Sequence, residues 1–104
     1  MELTIDVLRK LCIHGRVRWT EHVLIRLLQR GISRDDVKAA IQSETIIEQY
    51  PDDYPYPSCL ILGIGINDRV LHVVCGVGLD ELFVITAYDP NPDEWDHDFK
   101  KRRI

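Results

Sequence analysis

The hydrophobic pattern of the chain changes at Ser43, and this change constrains the fold more than any other sequence feature. Before it, apolar residues recur three or four positions apart, which is the spacing of one face of a helix. After it come short runs of strand-forming residues separated by turn residues, namely residues 45–50, 59–66, 69–77 and 82–88. This order predicts an α+β fold in which N-terminal helices pack on a four-stranded, mainly antiparallel sheet.

Start and stop signals in the first part of the chain predict three helices. The first ends near Gly15. The second begins after Thr20, a suitable N-cap, and ends before Gly31, where a left-handed residue is favoured. The third begins at Ser33, which forms a variant of the capping box with Asp36.

Turn residues predict how the strands pair. The Asn-Asp pair at residues 67–68 is typical of a tight hairpin. A second turn lies near residues 78–81. If that turn uses three residues, His72 faces Tyr88 on the next strand and Thr86 lies on the same side.

The end of the chain predicts a short C-terminal helix. Asn91 can cap it, and Pro92 suits its first position. Acids in the first turn and bases in the last complement the helix dipole. Trp95 and Phe99, four residues apart, would then share the face that packs on the sheet.

Length and composition limit the class of protein. A chain of 104 residues predicts a single domain covering residues 1–104. No apolar run approaches the ~20 residues that span a bilayer, so no membrane partner is expected. The N-terminus lacks the layout of a secretion signal, so a cytoplasmic location is expected.

Cysteine and metal-ligand spacing indicate no cofactor. The three cysteines, Cys12, Cys59 and Cys75, form no CxxC pair, and we expect them to be reduced and buried. The Asp-His-Asp run at residues 96–98 would point in different directions on a helix and has no matching cluster elsewhere. The sequence therefore predicts neither a metal site nor a cofactor.

Charge is segregated along the chain. Residues 1–40 contain eight Lys or Arg against five acids, whereas residues 41–99 contain one Arg against twelve acids. Four bases follow at residues 100–103, and the net charge is -4. Such asymmetry favours either a local phosphate-binding surface or a dipolar surface that meets a partner protein.

His22, Arg26 and Arg30 form a row on the second predicted helix, because positions four apart lie on one side. No acid at this spacing neutralises the row, and like charges four apart are mildly destabilising. The row is either a solvated face or an anion site. The opposite side is apolar and consists of Val23, Leu24, Leu27 and Leu28.

Two further features have both structural and functional interpretations. His72 interrupts an apolar strand, either as a half-buried histidine that is hydrogen-bonded in the sheet or as a reactive group. The run YPDDYPYPS at residues 50–58 is a stiff loop that presents tyrosines such as Tyr54. Those rings could stack on nucleotide bases or cover a sheet edge.

Four stretches resemble the domain of unknown function 4258, a family of small bacterial and archaeal proteins. They are RWTEHVLIRLLQRGISRDDV, IIEQYPDDYPYPSCLILG, LHVV and ITAYDPNPDEW, and the resemblance runs over roughly residues 16–98. It implies a fold related to the RelE-like and barnase-like nucleases. It also implies a toxin of a toxin–antitoxin pair, often encoded beside a zinc-finger antitoxin. The motif residues that correspond are His22, Arg26, His72 and Tyr88.

The leading hypothesis is therefore a toxin that acts as a metal-independent endoribonuclease. Its chemistry needs a base, an acid and a cation for the phosphoryl charge. His22 would be the base, Arg26 with Arg30 the phosphate clamp, and His72 or Tyr88 the acid. The further RNA contacts expected are Arg18, Thr86 and Tyr54.

Two alternatives belong to other classes of protein. In the first, the chain is a non-catalytic interaction module, and the cationic helix face is part of its interface with a partner protein. In the second, weaker alternative, Cys59 or Cys75 has a redox role.

Overall fold

The computed structural model describes residues 2–103 as an α+β fold. The elements in chain order are α1 (Ile5–Ile13), β1 (Val17–Trp19), α2 (Glu21–Arg30), α3 (Arg34–Ser43), β2 (Thr45–Tyr50), β3 (Ser58–Ile64), a 3-10 turn (Ile66–Asp68), β4 (Val70–Gly78) and β5 (Glu81–Tyr88). Within residues 2–103, no helix is long and apolar enough to cross a membrane.

The helix ends follow the predicted capping residues. The Thr20 side chain accepts a hydrogen bond from the Val23 amide at 3.1 Å. Gly31 closes α2 in the left-handed conformation, with φ of 65°. Ser33 and Asp36 form the reciprocal capping box of α3. These three predictions are confirmed. Caps can be predicted in this way because they depend on local sequence alone.

The sheet has five strands in the order β1-β5-β4-β3-β2 and is mixed. The prediction of a four-stranded, mainly antiparallel sheet is therefore wrong. The missed strand is β1, which pairs in parallel with β5 from Val17 opposite Leu82 to Trp19 opposite Val84. Three residues are too few to show alternation, so the sequence pattern does not indicate this strand. It forms because it pairs with the edge of β5 that would otherwise be unpaired.

The β4–β5 hairpin reaches the expected register by a different route. Its turn uses two residues, Leu79 and Asp80, both with positive φ, and not three. A bulge then leaves Ile85 as an extra residue on β5. The bulge shifts the pairing by one residue, as a three-residue turn would have done. His72 therefore lies opposite Tyr88, as predicted.

The core lies between the helices and one face of the sheet. Leu8, Ile41 and Val73 are fully buried there. A Cβ at Gly63 would collide with the Ala40 carbonyl group, so this glycine lets α3 lie directly against β3. The three cysteines, Cys12, Cys59 and Cys75, are free and buried, as expected.

The C-terminal helix was predicted wrongly. One turn begins at Asn91, whose carbonyl accepts from the Trp95 amide at 3.2 Å. The chain then doubles back through Phe99, which has φ of 60°, and Trp95 pairs with Arg102. A helix this short is marginal in water, and the return allows Trp95 to be buried against the sheet.

Candidate functional site

The sheet face opposite the helices, which we call the outer face, carries most of the candidate groups. One row across four strands contains Glu48, Leu60, Val74 and Thr86. The next row contains the His72–Tyr88 pair. The C-terminal segment, residues 91–103, covers part of this face through Trp95 and Arg102. Beside this segment, Val74 and Ile85 line an open hollow on the same face.

His72 is completely buried beneath the C-terminal segment. Its Nε2 lies 2.9 Å from the Phe99 carbonyl oxygen, and because a carbonyl only accepts, Nε2 carries the proton. The ring packs edge-on against Trp95 at 4.5 Å and Tyr88 at 5.5 Å between centroids. Burial lowers the pKa of His72, which keeps the imidazole neutral. His72 therefore holds the C-terminal segment in place and cannot contact a ligand directly.

An ionised carboxylate is fixed at the edge of the outer face. Arg102 donates to both oxygens of Glu48, from Nε at 2.9 Å and from Nη2 at 3.0 Å. The Tyr50 hydroxyl donates to the same carboxylate. The Arg102 hydrogen bonds hold the pKa of Glu48 below its usual range, and burial together with Glu48 raises the pKa of Tyr50 to about 12. Glu48 is thus charged, and Tyr50 is a hydrogen-bond donor at neutral pH.

Tyr88 lies between this ion pair and the end of α2. Arg30 Nη1 donates to Thr86 Oγ1 at 3.0 Å and to the Ala87 carbonyl at 2.9 Å. Burial raises the pKa of Tyr88, so its hydroxyl stays protonated. The charges of Arg102, Glu48, Glu94 and Arg30 act on that hydroxyl. We call Glu48, Thr86, Tyr88, Arg30 and Arg102 the Tyr88 cluster.

His22 and Arg26 lie outside the Tyr88 cluster. His22 lines a separate cleft beside Phe83 and Ile85. Neither Tyr88 nor Glu48 lines that cleft, and within residues 2–103 no hydrogen bond joins His22 to a member of the Tyr88 cluster. Arg26 is exposed and has no hydrogen bond or ion pair within residues 2–103. The structure therefore brings together Arg30, Thr86, His72 and Tyr88 but not His22.

The exposed side of α2 is more apolar than predicted. Val23 and Leu27 are buried, as expected. Leu28, assigned to the packed side by its spacing, has 81% of its surface exposed, and Ile25 has 48%. The sheet is narrow at the short strand β1, so it covers only part of the apolar side of α2. An apolar stripe therefore lies beside Arg26.

Two other predicted contacts lie away from the Tyr88 cluster. Arg18 on β1 forms an ion pair with Glu81, with Nε 3.1 Å from Oε2. Tyr54 is 91% exposed and lines the same cleft as His22. It does not cover a sheet edge, whereas Tyr56 packs on Phe83.

The sequence interpretation missed Glu48 and Arg102. Glu48 and Tyr50 are two residues apart on a strand, which places them on one face, and this spacing was a usable signal. Arg102 left no such signal, because its position depends on the return of the chain after Trp95.

A family model for a domain of unknown function, DUF4258, matches residues 19–89. This segment includes Glu48, Tyr88 and the cleft beside His22, whereas Trp95 and Arg102 lie beyond it. Comparisons with curated proteins and with solved structures gave no match. Because the match extends over more than half of its length, the chain belongs to the DUF4258 family.

Proposed function

We propose that this protein cleaves RNA without a metal ion, as the toxin of a toxin–antitoxin pair. In this reaction the ribose 2′-hydroxyl attacks the adjacent phosphate, so a base, an acid and a cation are needed. The observation that supports the proposal is the Tyr88 cluster, in which a carboxylate and two guanidinium groups surround a protonated phenol at the border between the C-terminal segment and the sheet.

Each group has a defined role in the proposed reaction. Glu48 takes the proton of the 2′-hydroxyl on Oε2, which accepts only from Arg102 Nε, as the hydroxyl oxygen bonds to phosphorus. Tyr88 gives its proton to the departing 5′-oxygen as the phosphorus–oxygen bond breaks, leaving a 2′,3′-cyclic phosphate and a 5′-hydroxyl. Arg30 and Arg102 stabilise the charge on the phosphoryl oxygens. His72 acts only through its contacts with Tyr88 and the C-terminal segment.

Cleavage of labelled single-stranded RNA by the purified full chain in excess EDTA tests the proposal. We expect Glu48→Gln to lower the cleavage rate at least about a hundredfold, because it removes the general base. The matched control is Glu81→Gln, which also removes a carboxylate paired with an arginine, at the opposite end of β5 from Tyr88. Its rate should stay at the wild-type level.

Tyr88→Phe provides a second test, since it removes only the hydroxyl that acts as the acid. Thermal unfolding of both variants should show that they remain folded. The proposal fails if the wild-type protein leaves a panel of RNA sequences intact. It also fails if folded Glu48→Gln and Tyr88→Phe cleave as fast as the wild-type protein.

A second function, binding of a partner protein at α2, is favoured by the apolar stripe of Ile25 and Leu28 beside Arg26. The partner we propose is an antitoxin of the zinc-finger type. We expect the product of the adjacent gene to co-purify with the full chain, and Leu28→Glu to abolish the complex. Leu79→Glu, at another exposed leucine, should retain it. Equal recovery of both variants would contradict a role for α2.

A further inference from the structure

A cleft of about 300 Å³ opens between the start of α2 and the tyrosine-rich loop that connects β2 to β3. Its walls include His22, Tyr54, Tyr56, Gly76, Phe83 and Ile85. The volume is at the lower end of the range for small-molecule sites. A single planar ring system fits within this volume.

The floor of the cleft is aromatic and fixed. Tyr56 stacks on Phe83 with ring centroids 5.4 Å apart and planes inclined by 18°. A side chain at Gly78 would collide with the Tyr56 ring, so the backbone of β4 fits directly against that ring. The stack therefore forms a flat surface that does not collapse into the cleft.

Another part of the wall is an exposed ring on a braced loop. Tyr54 is 91% exposed, and its amide donates to Asp53 Oδ1 at 3.1 Å. Asp53 Oδ2 accepts from the Ser58 hydroxyl at 2.6 Å, and the Asp53 amide donates to the Tyr50 carbonyl at 3.2 Å. The ring of Tyr54 is therefore exposed to solvent, whereas its backbone is held in place.

A polar edge is provided by His22. Its imidazole is exposed and has no hydrogen-bond partner in the described part of the chain, residues 2–103. Aromatic rings can stack on a nucleobase, and an imidazole without a hydrogen-bond partner can bond to its polar edge. An aliphatic ligand would leave the imidazole unused.

We propose that this cleft binds an unpaired base of single-stranded RNA. The inference rests on the proposed function and adds a recognition site beside the Tyr88 cluster. Ile85 and Asp53 line both this cleft and a neighbouring hollow at Val74 on the outer face. The cleft therefore adjoins a hollow that is also lined by Tyr50, the hydrogen-bond partner of Glu48.

Binding to oligonucleotides that cannot be cleaved separates this proposal from catalysis. A 2′-O-methyl oligonucleotide lacks the attacking hydroxyl, and an abasic chain of equal length keeps the phosphates but not the bases. We expect Tyr54→Ala in the full chain to bind the 2′-O-methyl oligonucleotide about tenfold more weakly, the effect of losing one stacked base. Binding to the abasic chain should stay unchanged.

Leu79→Ala is the control variant, because Leu79 is a similarly exposed residue outside the cleft. Its affinity for both probes should equal that of the wild-type protein. The proposal is overturned if Tyr54→Ala binds the 2′-O-methyl oligonucleotide as tightly as the wild-type protein, or if the abasic chain binds equally well. It is also overturned if Tyr54→Ala binds both oligonucleotides as the wild-type protein does but no longer binds the partner protein. Failure of RNA cleavage together with the expected binding pattern would reject the catalytic proposal and support the base site.

Discussion

The imidazole of His72 is enclosed by two aromatic rings and uses only one of its two nitrogens. Nε2 donates to the Phe99 carbonyl, while Nδ1 is buried without a hydrogen-bond partner among residues 2–103. A proton on Nδ1 would place an unsolvated charge beneath Trp95. The neutral form of this residue is therefore part of the folded structure.

A dependence of stability on pH follows from this environment. Burial lowers the pKa of His72, so the unfolded chain takes up this proton at higher pH than the folded chain. The free energy of unfolding should be highest above about pH 6.5 and fall below it, by at most about 1.4 kcal/mol per pH unit for one proton.

Urea unfolding between pH 7 and pH 5 measures this effect. His72→Gln keeps a donor for the Phe99 carbonyl but does not titrate, so its stability should change less with pH than that of the wild-type protein. His97→Gln, at an exposed position, should keep the wild-type dependence. An equal pH dependence in His72→Gln and the wild-type protein would contradict the assignment.

Among the elements, the C-terminal segment differs most from its predicted form. Its capping residue and charge order favour a helix, and one turn does begin at Asn91. The turn ends because Trp95 is buried against the sheet, with only 1% of its surface exposed, and because Arg102 on the returning chain binds Glu48. Tertiary burial outweighs local propensity in a segment this short.

Trp95→Ala should therefore destabilise the protein by about 3–5 kcal/mol, the usual cost of removing a buried tryptophan side chain. Equilibrium unfolding in urea measures the change. Tyr54→Ala also removes a large aromatic ring, but an exposed one, and should change the free energy of unfolding by less than about 0.5 kcal/mol. A loss below about 1 kcal/mol in Trp95→Ala would show that the segment does not pack stably on the sheet.

At the scale of the whole molecule, the sequence predicted what local patterns encode. The caps at Thr20 and Gly31 and the four predicted strands follow from signals within about ten residues. The strand β1 and the Glu48–Arg102 pair join distant parts of the chain, and no local pattern encodes them. Within the candidate site, the pairing of His72 with Tyr88 could be predicted because both residues belong to one hairpin.

The parallel pairing of β1 with β5 also sets an order of assembly. Arg18 on β1 and Glu81 on β5 are 63 residues apart in the chain, whereas the hairpins of β2–β5 join neighbouring segments. Closing a long loop costs more chain entropy than forming a hairpin. During synthesis β1 emerges early but has no partner strand until β5 is made, so β1 is the last strand that can join the sheet.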